Sequence, residues 1–196
     1  MKRFRKVLIV LLAILVPVSI GFGFNFFSGE SSDSAENQAM TVAGTLTINQ
    51  ISEAQNLVPG DKICKGVTMN ITSSAVSLLR VKVDIYCADS ETAETDIAPI
   101  KNAGNNWLKG SDGYYYYTQG VKNGDIVKLA EEGIYFNGLN GNVDMNKYQG
   151  KKIKVVANAE LVQAKHGVFA EKWGLSENKD GDIYTKLKKI SNDQGQ

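Results

Sequence analysis

Apolar and polar positions alternate most cleanly between Tyr148 and Ala164. Ile153, Val155, Ala157, Ala159 and Leu161 fall on one face, and Lys152, Lys154, Asn158 and Glu160 fall mostly on the other. A period of two marks a half-buried strand, here long enough to cross a whole sheet. Its place late in the domain predicts a central strand, laid between partners formed earlier in the chain.

The same pattern recurs upstream. In Thr41 to Asn49, Val42, Leu46 and Ile48 oppose Thr45, Thr47 and Asn49, which reads as the first strand. Leu57-Val58-Pro59-Gly60-Asp61-Lys62 is a turn, because proline presets one corner and glycine accepts positive φ at the next. Ile63, Val67, Met69 and Ile71 then share a face. After Ser73-Ser74-Ala75, Leu79, Val81, Val83 and Ile85 alternate with Arg80, Lys82, Asp84 and Tyr86. The two runs read as an antiparallel pair with odd positions facing odd positions. Residues 88 to 106 form a polar connection with a helical turn near Thr92 to Ala98. Strand character resumes at Trp107-Leu108 and at Tyr114 to Tyr117, since aromatic side chains suit a pleated surface. Asn123-Gly124-Asp125 is a hairpin-type turn, and Ile126 to Leu129 and Ile134 to Phe136 are short strands. Trp173 is expected to plug one end of the core, and residues 177 to 196 to fray as a charged polar tail. About seven to nine short strands between turns predict an all-β sandwich over residues 41 to 176, of jelly-roll or immunoglobulin-like kind.

The N-terminus breaks this pattern. Lys2, Arg3, Arg5 and Lys6 precede an apolar run from Val7 to Val16 that continues more loosely through Phe27. A basic region followed by an apolar one predicts an export helix over residues 1 to 28. It is read as a signal peptide or as an uncleaved membrane anchor, because it nears the roughly 20 residues that span a bilayer. Positive charge stays on the cytoplasmic side, so the rest of the chain is expected outside the cell. Residues 29 to 40 are a polar spacer, too poor in apolar surface to fold alone. Without the four leading cations, 18 basic residues face 21 acidic ones, a net of −3. That balance lacks the clustered cations that displace counterions from nucleic acid, which is set aside as a partner.

Candidate chemistry is sparse. Cys64 and Cys87 are the two cysteines of the chain, and in an exported protein they are expected to form a disulfide, with a bulge at Gly66 correcting the register. His166 is the single histidine, so neither an H-E-x-x-H zinc site nor a two-histidine copper site can be assembled. It is read as a solvated residue of the loop Lys165-His166-Gly167, and no catalytic residue, metal site or cofactor is assigned. Tyr114, Tyr115, Tyr116 and Tyr117 alternate in direction along a strand, which predicts two in the core and two on the surface as a possible aromatic contact strip. Asp112, Asp125, Asp180 and Asp182 are turn residues first, and Asp180-Gly181-Asp182 is too short for an EF-hand loop.

Several segments together carry a family likeness. The export segment leads into Ala43-Gly44-Thr45-Leu46-Thr47-Ile48 and Leu57-Val58-Pro59-Gly60-Asp61. Asp112 to Tyr117 is followed by Val121-Lys122-Asn123-Gly124-Asp125, and Tyr148-Gln149-Gly150-Lys151 leads to Glu160-Leu161-Val162-Gln163-Ala164. In order and spacing these resemble the TasA/camelysin family of exported matrix-fibre proteins, from about Thr41 to Leu175. The resemblance implies export through a signal peptidase, a jelly-roll fold and assembly into extracellular or biofilm matrix fibres. The export segment departs from the family pattern, lacking the usual small-residue and aromatic signature just before the mature domain. The metallopeptidase activity attached to some members finds no histidine pair here. A loosely tethered first strand suits head-to-tail strand addition between copies. Thr41 to Asn49 is therefore the expected donated strand, with Val42, Leu46 and Ile48 as its buried pegs. A monomeric surface module binding glycan or protein through the tyrosines is the alternative, with a camelysin-like metallopeptidase behind it.

Overall fold

The alternation of the two longest runs is realised as one ladder. In the computed structural model, which describes residues 45–49, 52–54, 56–87, 90–137, 148 and 150–194, Ser77–Cys87 pairs antiparallel with Ile153–Gln163 along eleven residues of each. Val81 faces Ala159, Val83 faces Ala157 and Ile85 faces Val155 on one side of the sheet. Leu78 faces Val162 and Arg80 faces Glu160 on the other. The expected export segment, the spacer and Val42 lie outside the described residues.

In chain order the described strands are β1 (Thr45–Asn49), β2 (Ser52–Ala54), β3 (Lys62–Cys64), β4 (Val67–Thr72), β5 (Ser77–Cys87), β6 (Trp107–Lys109), β7 (Tyr115–Tyr117), β8 (Ile126–Leu129), β9 (Ile134–Tyr135) and β10 (Ile153–Gln163). They form a three-stranded sheet in the order β1-β4-β8, a five-stranded sheet in the order β2-β10-β5-β7-β6 and the small pair β3-β9, all antiparallel. Strand β10 thus lies inside its sheet, as its late place in the domain predicts. Met69 and Ile71 of β4, Val127 and Leu129 of β8, and Val81, Ile85 and Val155 of the larger sheet meet in one buried core. On one flank the Trp107 indole N–H donates to the Lys128 carbonyl at 2.8 Å, joining β6 to β8 across the gap between the sheets.

The expected pairing of residues 63–72 with 79–87 does not occur. Strand β4 lies between β1 and β8, while β5 lies between β10 and β7, so Ser73 to Val76 carries the chain from one sheet to the other. Both strands present apolar odd positions, and a shared core satisfies those faces as well as a hairpin would. With the hairpin goes the disulfide. Cys64 sits opposite Ile134 and Cys87 opposite Ile153, and the two are not joined. Gly66 has φ of +93°, and a Cβ there would collide with the carbonyls of Leu129 and Ala130. It turns the corner between β3 and β4 and does not bulge a hairpin.

The C-terminal segment is the second departure. The segment expected to fray forms α2 (Glu177–Asp193), kinked at Gly181, and with α1 (Val168–Trp173), from the end of the expected sandwich, it makes a helical layer. Ile183, Leu187 and Ile190 recur at helical spacing, and the first two are buried together with Phe169, Trp173, Leu175, Leu78 and Tyr116. This second core covers the outer face of the five-stranded sheet. Trp173 belongs to it and does not plug the sandwich. A surface rich in lysine and aspartate hides this stripe, because three apolar positions suffice once a preformed apolar face awaits them. Mostly-β, with two short helices, is therefore the fold class. Leu187→Ala should lower unfolding stability by about 2–5 kcal/mol, read as a fall in the urea midpoint at unchanged slope. A tail residue would cost close to nothing.

Candidate functional site

The outer face of the larger sheet gathers most of the polar chemistry among the described residues. Register places Leu108, Tyr116, Arg80 and Glu160 in one row across β6, β7, β5 and β10. Arg80 donates to Glu160 Oε2 from Nε at 3.0 Å and from a terminal nitrogen at 2.8 Å. Tyr114 donates its hydroxyl to Glu160 Oε1 at 2.9 Å, and Tyr116 donates to Asp112 Oδ2 at 2.6 Å. The guanidinium lies 3.9 Å from the centre of the Tyr114 ring and 5.0 Å from that of Trp173, within cation–π range of both. Tyr116 and Trp173 meet edge to face.

Each tyrosine of the run has a definite place. Tyr115 and Tyr117 point into the main core, where Tyr117 tilts against Trp107 at 4.9 Å. Tyr114 and Tyr116 point the other way, but the helical layer buries Tyr116 completely and half-buries Tyr114. The alternation of direction is as expected. The exposed aromatic strip is not, because both faces of β7 are covered.

The electrostatics of the cluster follow from this packing. Burial alone would lower the Arg80 guanidinium, but its bonds to Tyr116 and Glu160 carry it above its ordinary value. Burial first, and then the bond to Glu160, push the Tyr114 phenol up; burial and the bond to Asp112 push Tyr116 well above the usual tyrosine range. Both carboxylates already accept hydrogen bonds at each oxygen: Asp112 Oδ1 takes the Tyr114 backbone N–H at 3.1 Å. Bonds that pair the guanidinium, the phenols and the carboxylates in this way hold β5, β7 and β10 together.

The remaining candidates are placed singly. His166 is exposed at a φ of 65° in the turn Lys165–Gly167, in keeping with a loop residue. Asp125 accepts the Lys122 backbone N–H at 2.7 Å, and Asp180 caps the start of α2 by accepting the Ser176 N–H at 2.9 Å. Burial raises the Cys64 thiol above its ordinary value, which suits a packed residue and not a nucleophile. Strand β1 runs antiparallel along β4, with Leu46 opposite the buried Ile71 and Ile48 opposite the buried Met69. The chain's own first strand thus occupies the border of β4 over Thr68 to Thr72.

The Arg80 cluster was missed from sequence, although it left two signals. Arg80 and Glu160 stand on the polar faces of the two long strands, and apolar residues are doubled at Leu78-Leu79, Leu161-Val162 and Tyr115-Tyr116. Doubling breaks a period of two where both faces are buried. Compared with known protein families, curated proteins and solved structures, the chain matches none.

Glu160→Ala strips the nearer carboxylate from a guanidinium that is about nine-tenths buried, leaving Asp112 at 3.8 Å, and should cost about 2–4 kcal/mol in a urea titration. The double change Arg80→Met with Glu160→Leu removes both charges and should recover to within about 1 kcal/mol of the parent. A clamp that is itself needed for specificity of fold would leave the double variant as weak as the single one.

Tyr114 and Tyr116 keep their protons to higher pH in the folded chain than in the unfolded one, where tyrosine titrates near pH 10. Their contribution is fully present below about pH 10 and is lost as pH rises through the folded values. The urea midpoint should therefore fall more steeply above about pH 10 in the parent than in Tyr116→Phe. Parallel curves would contradict the assignment.

Proposed function

We propose that the chain is an exported structural subunit, jelly-roll-like in connectivity, that assembles by strand exchange into extracellular or biofilm matrix fibres. The observation that carries this reading is the position of β1, the first described strand of the domain. It supplies the outer border of a three-stranded sheet and touches the rest of its own sheet through β4 alone.

Each copy can exchange its β1 for that of a neighbour without losing a hydrogen bond, since donor and acceptor surfaces are the same in both arrangements. Applied head to tail, the exchange does not close and gives an open filament. Leu46 and Ile48 serve as pegs opposite Ile71 and Met69, and Val42 extends the donated segment on its N-terminal side. The partners are copies of this chain, with a signal peptidase during export and the membrane engaged only through residues 1 to 28. The role is structural, without a catalytic step or a cofactor. No separate surface-binding module is invoked, because the tyrosines that would form it are spent in the two cores.

A cross-strand lock tests the reading. Thr47 faces Asn70 in the ladder between β1 and β4, and the double variant Thr47→Cys, Asn70→Cys can tie β1 to its own subunit when oxidised. Negative-stain microscopy should show filaments from the unmodified protein and from the reduced variant, and only monomers from the oxidised one. Filaments from the oxidised variant, or none from the unmodified protein, would refute strand exchange.

A further inference from the structure

The helical layer encloses a cleft that the packing of the sheets does not use. Along α2, Ile183 and Leu187 are buried in the second core, and the buried Ser191 continues their stripe. Tyr184, Lys188 and Asn192 recur every fourth residue, one step round the helix, so they stand side by side. Opposite them run the turn Lys165–Gly167 and the start of α1. Between the two lies a space of about 490 Å³, within the roughly 300–1,000 Å³ of small-molecule sites.

Aromatic rings line one part of this cleft and basic groups another. The buried Phe169 ring and the half-buried Tyr184 ring tilt against each other with centroids 5.7 Å apart. The Lys188 ammonium lies 5.4 Å from the centre of the Tyr184 ring, within cation–π range. Neither Lys188 nor His166 pairs with a carboxylate among the described residues. His166 holds a left-handed φ of 65°, a backbone state that is costly for a residue with a side chain, and in it the residue lines the cleft. Ser191 is 4% exposed and lines the cleft from below. Its hydroxyl oxygen accepts the Gly167 N–H at 2.8 Å, while its own proton has no acceptor among the described residues.

The charge in this cleft is of one sign. No acidic side chain lines it; Glu177 and Asp193 lie in an adjoining depression that shares Tyr184 and Lys188. A metal ion or an amine would find no counter-charge, and a neutral sugar would leave Lys188 without one. We infer that the cleft is a binding site for a small aryl carboxylate. The flat ring packs on Phe169 and Tyr184, and the carboxylate accepts from the Lys188 ammonium, the Ser191 hydroxyl and a ring N–H of His166. An ionised carboxylate has two oxygens and no donor, which matches a set made of donors alone. The site is separate from the border between β1 and β4 and does not rest on strand exchange.

Because His166 is the single histidine, its ring proton gives one isolated signal in the NMR spectrum of the purified full chain in heavy water. Phenylacetate, titrated at constant pH and ionic strength, should move that signal along a saturating curve with a Kd of about 1 mM or lower. Benzyl alcohol keeps the ring without the charge, and acetate keeps the charge without the ring. Each should bind at least about tenfold more weakly. Lys188→Glu should abolish the saturating shift and Lys188→Arg should retain it. Lys186→Glu makes the same change of charge at an exposed position outside the cleft and should leave binding unaltered. All three variants should keep the parent's far-ultraviolet spectrum. A linear or absent response to phenylacetate, benzyl alcohol bound as tightly as phenylacetate, binding that survives Lys188→Glu, or equal damage from Lys186→Glu would overturn the inference. Filament formation has no bearing on these readouts.

Discussion

The antiparallel ladder between β5 and β10 is the constraint on which the rest of the molecule depends. Eleven residues of each strand fix a register in which every odd position faces the sandwich core and every even position faces outward. A slip of β5 by one residue would send Val81, Val83 and Ile85 to the outside and bring Arg80 and Lys82 into the core. At about 25 cal/mol per Å² of apolar surface, the loss of even three such side chains approaches the whole stability of an ordinary domain. The ladder joins residues roughly 80 positions apart in the chain, so the sheet cannot be complete until the last strand arrives.

Because the register is fixed, both faces of the larger sheet become usable. The inner face meets β4 and β8, and the outer face near Leu78 and Val162 meets the helical layer. Arg80 and Glu160 stand where that layer ends, and their pairing lets charged residues lie beneath Trp173 without being stranded. Desolvation works against such a pair, and only full hydrogen bonding offsets it. That explains why Tyr114, Tyr116 and Asp112 converge on the same spot: each fills a donor or acceptor that the ion pair alone would leave empty.

The long strands were legible from period, as were the turns at Pro59-Gly60 and Asn123-Gly124, where φ is positive at both glycines; Ser52–Ala54 was not read, and the run from Ile63 to Thr72 is broken at Gly66 into β3 and β4. The 3-10 turn at Thr95–Ile97 fell inside the connection read as partly helical. What period cannot show is which apolar faces meet. Residues 63–72 and 79–87 carry the same alternation whether they pair edge to edge or meet face to face across a core, so the hairpin and the disulfide built on it were both misplaced. The helices were hidden for a related reason. Ile183, Leu187 and Ile190 form a stripe too thin to be recognised without knowing that Leu78, Val162 and Phe169 wait opposite. The candidate sites followed the same division. Directions of the four tyrosines could be read from their spacing, whereas their burial depended on a layer from the far end of the chain.

Edges are where this architecture remains open to other chains, and the geometry limits how. Strand β2 is bonded to β10 through Ser52 to Ala54, and Asn49 ends β1 only three Cα steps earlier. Those steps reach about 11 Å at full extension. On the strand-exchange reading, a β1 that leaves its own β4 while β2 stays in place must find the neighbour's β4 within that distance. Subunits would then touch at this corner and could not hang apart on a flexible tether. Exchange between identical contacts changes the enthalpy little, so the balance between monomer and filament would rest on concentration and on what the short link permits. On that reading, a link this short favours whichever arrangement leaves it least strained.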